Sequence, residues 1–592
     1  MQHVEGDLWL AEFTAETLTS YIYTLEGWID PFRTWRRDLR RWSEAGQSIS
    51  AELQIGARQA EDAANRAAGK DAERLRTMAA RLSSGGSSPR LVQLALGEEL
   101  AALMSRYPDR RYATHYRELA LTVDPPNAQF GAWYEAFPRS FATAAGRHGT
   151  FGDCETTLLP YVAEMGFDIL YLPPIHPIGR TNRKGKNNAL TAAPADPGSP
   201  WGVGSDEGGH KSIHPELGTM KDFHSFVAKA KEYGIDIALD VAFHCSPDHP
   251  YVKEHPEWFR RRPDGSIQYA ENPPKRYEDI HPFDYETPDR QALWDELRSI
   301  FTFWIEQGVH IFRVDNPHTK PFALWEWLIA DVKRQYPQAI FLAEAFTRRT
   351  QRLELSKRGF TQSYIDFAWK NTKQEITDYL TEFTQTERKE YFRPNAWPNT
   401  PDILSDYLRT GGSPARAVRL VLAATLCASY GIYGPSFELG EVAPRTEPGS
   451  DEYQHSEKYE IKHWEIDRPD SLRPLIRRVN RIRRDNAALH TNDSLRFHTI
   501  DNDQLICYSK QTGAGDVIVV VVNLDPHQKQ SGSLGLPIED WGLRQNQTYL
   551  VSDLLNDETH TWKGPRNCVE LDPSVTPAHV LRIRTRDADV GR

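Results

Sequence analysis

Residues 308–316 read GVHIFRVDN: a glycine, a short apolar run, and then an Arg–Val–Asp–Asn tip. A run this short, bounded by glycine and rich in apolar residues, reads as a buried strand with its charge held at the C-terminal end. Seven more segments follow the same plan. They are GAWYEAFPR (131–139), GFDILYLPPI (166–175), GIDIALDVAFH (234–244), AIFLAEAF (339–346), GFTQSYIDF (359–367), the less regular YFRPNAWPNTPDI (391–403) and ASYGIYG (428–434). Helical stretches such as MKDFHSFVAKAKEY and PFALWEWLIADVKRQY lie between them. Eight apolar strands separated by helices predict an α/β fold, a closed (β/α)8 TIM barrel rather than an open sheet. Two long inserts, 176–215 after strand two and 245–290 after strand three, belong at the rim, where substrate choice resides.

Outward from the barrel, the pattern changes twice. Residues 491–592 contain DQLICYSKQ and GDVIVVVVNLD among turn-rich spacers, which predicts a C-terminal β-sandwich. Upstream, DLWLAEF and TSYIYTLEGWI alternate apolar and polar side chains, so residues 1–44 read as two strands left from a larger β-domain. Residues 45–120 are rich in Ala, Glu, Arg and Leu; 51–82 reads as one long helix, then SSGGSS breaks it before RLVQLALGEELAALMSRY, giving a helical hairpin or bundle insert. The barrel is then expected over 121–490.

Of the 592 residues, 39% are apolar and 26% charged, with a formal net charge of -11. That composition supports a packed soluble core and excludes a disordered chain. It also argues against nucleic acid as the partner. Five scattered cysteines form no CxxC pair, so a reducing, cytoplasmic setting is expected. MQHVEGDLWL does not read as a signal peptide, and no 18-residue apolar run suits a bilayer, so no membrane partner is expected.

Polar residues at the C-terminal tips of barrel strands read as catalytic. Four tips carry a carboxylate: Asp240, Asp315, Glu344 and Asp402, after strands three, four, five and seven. Arg313 stands two residues before Asp315, on the same strand face, which favours an ionised Asp315 fit to be a nucleophile. Glu344 sits in FLAEAF among apolar and small neighbours, where desolvation suits a general acid. Two carboxyls with split roles are what chemistry at a sugar acetal carbon requires. Asp402 would bind substrate hydroxyls, and Asp240 would order the base of the site. Next to the nucleophile, the Asn316 amide could hydrogen-bond a group on the anomeric carbon. Asn272, Lys275 and Tyr277, in the second insert, could surround a phosphate with donors, or could decorate a surface loop. His244, Asp248 and His249 have no clean metal-ligand spacing, so neither metal nor cofactor is expected. Trp133, Tyr134 and Trp369 are aromatic candidates for stacking on sugar rings or for packing at the rim.

The motifs ALDVAFHC (238–245), GVHIFRVDNPH (308–318), FLAEAF (341–346) and NTPDI (399–403) resemble the four characteristic regions of glycoside hydrolase family 13, the α-amylase-like enzymes. The resemblance implies Asp315 as nucleophile, Glu344 as acid/base and Asp402 as transition-state stabiliser, with retention of configuration. Where amylases end the first region in Asn-His, this chain has His244-Cys245. RVDNPHTKP, AENPPKRYEDI, TNRKGKNN, SPWGVGSDEGGHKSIHPELGT, CSPDHP and SEKYEI look like the bacterial maltosyltransferases that lengthen α-1,4-glucans from α-maltose 1-phosphate. That likeness implies phosphate binding by Asn272, Lys275, Tyr277 and Asn316, and a donor-sugar contact by Lys184. His244 stands where that group usually has glutamine. Trehalose synthase-like enzymes or α-glucan hydrolases of the same family, acting on unphosphorylated sugars, are the competing readings. The group's N-terminal sandwich and helical insert imply a homodimer, and the short strand segment before residue 45 argues against carrying that pairing over unchanged.

Overall fold

The computed structural model of the chain describes residues 1–86, 88–273, 275–445, 450–513 and 515–583, and for residues 272 and 275 the backbone alone. The described residues of 1–19 and 123–583 form one compact unit, and those of 20–122 form a second.

The first unit holds the barrel. Its strands are β1 (Gly131–Glu135), β2 (Ile169–Leu172), β3 (Asp236–Val241), β4 (Ile311–Val314), β5 (Ile340–Ala343), β6 (Gln362–Tyr364), β7 (Pro394–Ala396) and β8 (Ser429–Tyr433). Each pairs in parallel with its sequence neighbour, and β8 closes on β1. Four strands are preceded by a glycine that ends the incoming helical turn with positive φ: Gly166 (79°), Gly234 (72°), Gly308 (97°) and Gly359 (110°). A side chain would be strained there, so these glycines set where each helix stops and the chain re-enters the barrel. The helix Met220–Glu232 begins in a capping box, with Thr219 and Asp222 bonding each other's backbone N–H.

Alternation divides the barrel side chains between two cores. Trp133, Ile169, Tyr171, Ala238, Ile311, Leu342, Tyr364 and Trp397 fill its interior. Residues one step away, such as Tyr134, Leu170, Phe312 and Phe341, pack against the surrounding helices. Trp133 and Tyr134 are therefore fully buried, and neither is available to stack on a sugar; Tyr134 instead donates its hydroxyl to Glu438 at 2.6 Å. Trp369 remains partly exposed, edge-on to Phe346.

The two rim inserts clasp each other. Asp248 accepts from the backbone N–H of Arg180 and Thr181 and from the Thr181 hydroxyl, at 2.6, 2.7 and 2.7 Å. Lys184 pairs with Glu278 at 2.7 Å. After residue 495, eight strands from Arg496–Ile500 to Ala578–Ile583 make one antiparallel sheet. It folds over a core that includes Leu505, Val519, Leu534, Trp541 and Leu571, which is a sandwich-like arrangement. No helix among the described residues is long and apolar enough to cross a membrane.

The second unit departs from the sequence reading in two places. Helix Pro31–Glu44 starts inside the segment read as strands, with Pro31 in its first turn and the Asp30 side chain accepting from Arg33 N–H. That Asp-Pro start is an N-terminal helix signal. The segment 51–82 is two helices, Ser50–Arg66 and Gly69–Ser83, because Ala67 and Ala68 are extended and Gly69 has φ 57°. Helical periodicity continues through this break, so composition alone conceals it. Strand Ser20–Tyr23 pairs with Leu119–Thr122, and Glu26–Gly27 with Thr114–His115. Phe32, Trp35, Leu53, Leu75, Leu82 and Leu100 form this unit's core.

Candidate active site

Arg313 organises the barrel mouth. One guanidinium nitrogen, Nη1, meets Asp240 Oδ2 at 2.9 Å and Asp315 Oδ1 at 3.0 Å, while Nη2 meets Glu344 Oε1 at 3.2 Å. Register explains the convergence: Arg313 lies opposite Asp240 on β3 and Leu342 on β5, and Glu344 follows two residues later on the same inward face. Asp240 also accepts from the Tyr171 hydroxyl at 2.6 Å and the Trp201 indole at 3.1 Å. These bonds fix Asp240 as an anchor for Arg313.

One guanidinium leaves the two candidate catalytic carboxyls in different states. Burial alone would raise Asp315, but Arg313, then Lys320, outweigh it and hold the carboxyl well below the usual carboxylate range. Burial dominates at Glu344 and pushes it up to about 7; Arg313 opposes the shift and the Asp315 charge adds to it. Asp240 is raised to about 6 by burial, against the pull of Arg313. Near neutral pH, Asp315 is an anion and Glu344 can hold or release a proton.

The turn after β4 connects the pair. Asn316 takes left-handed backbone angles, φ 43° and ψ 52°. Its N–H thereby reaches Glu344 Oε2 at 3.0 Å, and its side-chain amide donates to Asp315 Oδ2 at 3.3 Å. Lys320, buried behind the turn, donates its ammonium to the carbonyls of both Asp315 and Asn316 at 3.0 Å. An uncommon conformation for a non-glycine residue is held there by a cation.

The outer candidates fall into two groups. His244 is buried, and its Nε2 bonds the Trp201 carbonyl at 2.8 Å. Burial lowers its imidazole to about 4 despite the pull of Asp315, so it is neutral at working pH. Asp402 lies beyond β7, with Oδ1 held by Lys458 at 2.6 Å. Tyr277 is half-buried on the hairpin formed by Ala270–Asn272 and Lys275–Tyr277, one residue from the Glu278 that binds Lys184. The side chains of Asn272 and Lys275 lie outside the described residues.

His210, Cys245 and His249 also gather, all buried, close enough to face one ion. The Tyr251 N–H bonds His249 Nδ1 at 3.0 Å, His249 Nε2 meets His210 Nδ1 at 3.0 Å, and His210 Nε2 meets the Ala242 carbonyl at 2.9 Å. Two neutral imidazoles satisfy every contact in that relay: His249 donates to His210, and His210 donates to Ala242. No ring lone pair is left for a metal, so the donor set fits a structural role.

Comparison with known proteins sharpens the picture. The model of the "Alpha-1,4-glucan:maltose-1-phosphate maltosyltransferase, domain N/S" matches residues 1–125, that of "Alpha amylase, catalytic domain" 135–309, and that of "GLGE, C-terminal" 497–583. An α-1,4-glucan:maltose-1-phosphate maltosyltransferase of Chlorobaculum tepidum is 52% identical over 98% of this chain and 88% of its own length. The chain belongs to the maltose-1-phosphate maltosyltransferase family. Other maltosyltransferases of this name, from Methylacidiphilum infernorum and Streptomyces coelicolor, are 50% and 47% identical, each over 98% of the chain and over 87% and 85% of their own lengths. The crystal structure of a maltogenic α-amylase from Thermotoga neapolitana shares the fold, with a TM-score of 0.59 and 19% identity, over 78% of this chain and 100% of that one.

Three groups in this maltosyltransferase-family site were missed in the sequence. Lys320 lies inside RVDNPHTKP and Lys458 inside SEKYEI, both motifs noted without singling out the lysine. Glu135 ends β1, and the strand-tip rule that selects Asp240, Asp315 and Glu344 selects it equally.

Proposed function

We propose that the chain transfers a maltosyl unit from α-maltose 1-phosphate to the 4-hydroxyl at the non-reducing end of an α-1,4-glucan, releasing phosphate with retention of configuration. The observation that carries the chemistry is the split ionisation of Asp315 and Glu344 around one guanidinium. The donor and acceptor are those in the name of relatives about half identical over nearly the whole chain.

In the first displacement the Asp315 carboxylate attacks the anomeric carbon. The bond from that carbon to the phosphate oxygen breaks, and Glu344 gives its proton to the leaving phosphate. A β-maltosyl ester forms on Asp315. Glu344, now ionised, takes the proton of the acceptor 4-hydroxyl, whose oxygen displaces Asp315 and makes the α-1,4 bond. Two inversions give net retention. Phosphate is already a competent leaving group, so Glu344 matters more in the second displacement than in the first. Arg313 keeps Asp315 charged, Asn316 orients both carboxyls, and Asp402 binds donor hydroxyls. Asn272, Lys275, Tyr277 and Asn316 take the phosphate, and Lys184 and His244 face the donor sugar. All five cysteines are free thiols, which suits a cytoplasmic setting.

The test is phosphate release from α-maltose 1-phosphate with and without a short maltooligosaccharide. Release that depends on the acceptor is expected. A folded enzyme that ignores the phosphate ester and instead isomerises maltose or shortens glucan would place the chain with the unphosphorylated-sugar enzymes.

A further inference from the structure

The barrel mouth holds a fifth carboxyl to which the mechanism above gives no work. Glu135 ends β1, in register with Tyr433 of β8 on one side and Tyr171 of β2 on the other. Strand alternation points it inward with Trp133, while Tyr134 between them turns outward. The residue is only 2% exposed, yet its side chain makes no hydrogen bond to any described residue. As the last residue of β1 on the inward face, the carboxyl stands at the mouth end of the barrel interior.

Its surroundings decide its form. Burial raises the Glu135 carboxyl well above the carboxylate range; Arg313 opposes this, and Asp240, Asp402 and Glu344 add to it. Two cations, Arg313 and Lys458, already pair with the other four carboxyls, and the Lys320 ammonium is taken up by the Asp315 and Asn316 carbonyls. A fifth anion would have no partner, so Glu135 is held as a neutral acid with one O–H donor and free acceptor capacity. Proteins seldom keep a buried polar group without a partner, and where it opens on a cleft a ligand completes it.

We propose that the Glu135 carboxyl hydrogen-bonds a hydroxyl of the donor sugar ring seated in the barrel mouth, making it a specificity-determining contact. This rests on the transferase reading above and adds a residue to its donor subsite. A sugar hydroxyl can both accept from the acid O–H and donate to its carbonyl oxygen. A donor lacking that hydroxyl leaves the acid unpaired, which is how a polar site rejects a deoxy analogue.

The test uses the full chain and a panel of α-maltose 1-phosphates, each lacking one hydroxyl of the ring that bears the phosphate. Wild type should lose about tenfold or more in kcat/KM on one member of the panel. E135L should lose a similar factor on the full donor, mainly through KM, and be indifferent to that same deoxygenation, because the two changes remove one contact. E135Q, whose amide still donates and accepts, should recover most of the loss. Equal penalties for every deoxy donor in E135L and wild type would overturn the proposal, as would E135Q failing as badly as E135L. Should E135L not fold, E135Q decides: retention of the wild-type ranking of donors supports the contact, and loss of that ranking overturns it. Wild type releasing no phosphate from the full donor would instead sink the reaction reading, before any variant is made.

Discussion

Lys320 offers the most quantitative test of how the site is built. K320M keeps the unbranched stem and removes the ammonium that bonds the carbonyls of Asp315 and Asn316, both at 3.0 Å. The Asn316 carbonyl retains the Thr319 hydroxyl at 2.8 Å, so the larger loss falls on Asp315. Losing charge-assisted bonds in a buried turn costs about 1–3 kcal/mol, or about fivefold to 150-fold if it is felt at the transition state. That cost should reach catalysis, because the same turn aims the Asn316 N–H at Glu344. Lys320 also ranks after Arg313 among the charges that depress Asp315. Asp315 works ionised, so its activity is present above its pKa and lost as pH falls through it. Removing the ammonium raises that pKa, so the acid limb of kcat/KM should move to higher pH. Initial rates of phosphate release across a pH series would show both effects. A variant with wild-type kcat and an unmoved acid limb would refute the idea that Lys320 positions the turn and charges the nucleophile.

Other outcomes follow from the same geometry. With Glu344 raised to about 7 and acting as the base of the second displacement, kcat/KM for the acceptor should fall as pH drops below about 7; a profile flat from pH 9 down to pH 5 contradicts that role. E344A should slow acceptor transfer by about 100-fold or more while sparing the first burst of phosphate, because phosphate leaves with little acid help; rapid-quench kinetics separate the two steps. G204A should unfold or distort the rim, since Gly204 has φ 103° and an added Cβ would lie 2.1 Å from the His249 ring. A loss of at least about 2 kcal/mol is expected, read as a drop in melting temperature or soluble yield. K458M frees Asp402 from its 2.6 Å partner and should raise KM for the donor more than it lowers kcat; the reverse split would argue against a binding role for that pair.

Much of the barrel was legible because its signals are local. Glycines such as Gly234 and Gly308 mark four of the eight strand entries, and charge gathers toward the C-terminal strand tips, so Arg313, Asp315 and Glu344 could be placed on one face from spacing alone. Their different ionisation was legible too, since it follows from an arginine two residues away in one case and apolar neighbours in the other. The partners that complete the site come from far along the chain. Lys458 reaches Asp402 across 56 residues, and Trp201 reaches Asp240 across 39. No periodicity reports such pairs. Lys320 is close in sequence, but its role depends on the left-handed turn at Asn316, which spacing does not reveal. Glu135 was legible and overlooked, because a Glu between Tyr and Ala in an apolar strand resembles an ordinary edge position. In the helical unit, uninterrupted Ala and Leu periodicity hid the break at Gly69.

Retaining transfer by this site requires a maltosyl group carried by Asp315. The measurement is the intact mass and peptide map of E344A after brief exposure to α-maltosyl fluoride, whose leaving group needs no acid and whose intermediate then lacks its base. A gain of one maltosyl residue, located on the peptide containing Asp315, is the predicted result. An adduct of a single glucose, an adduct on another residue, or a folded E344A that turns over the fluoride without any adduct would contradict it.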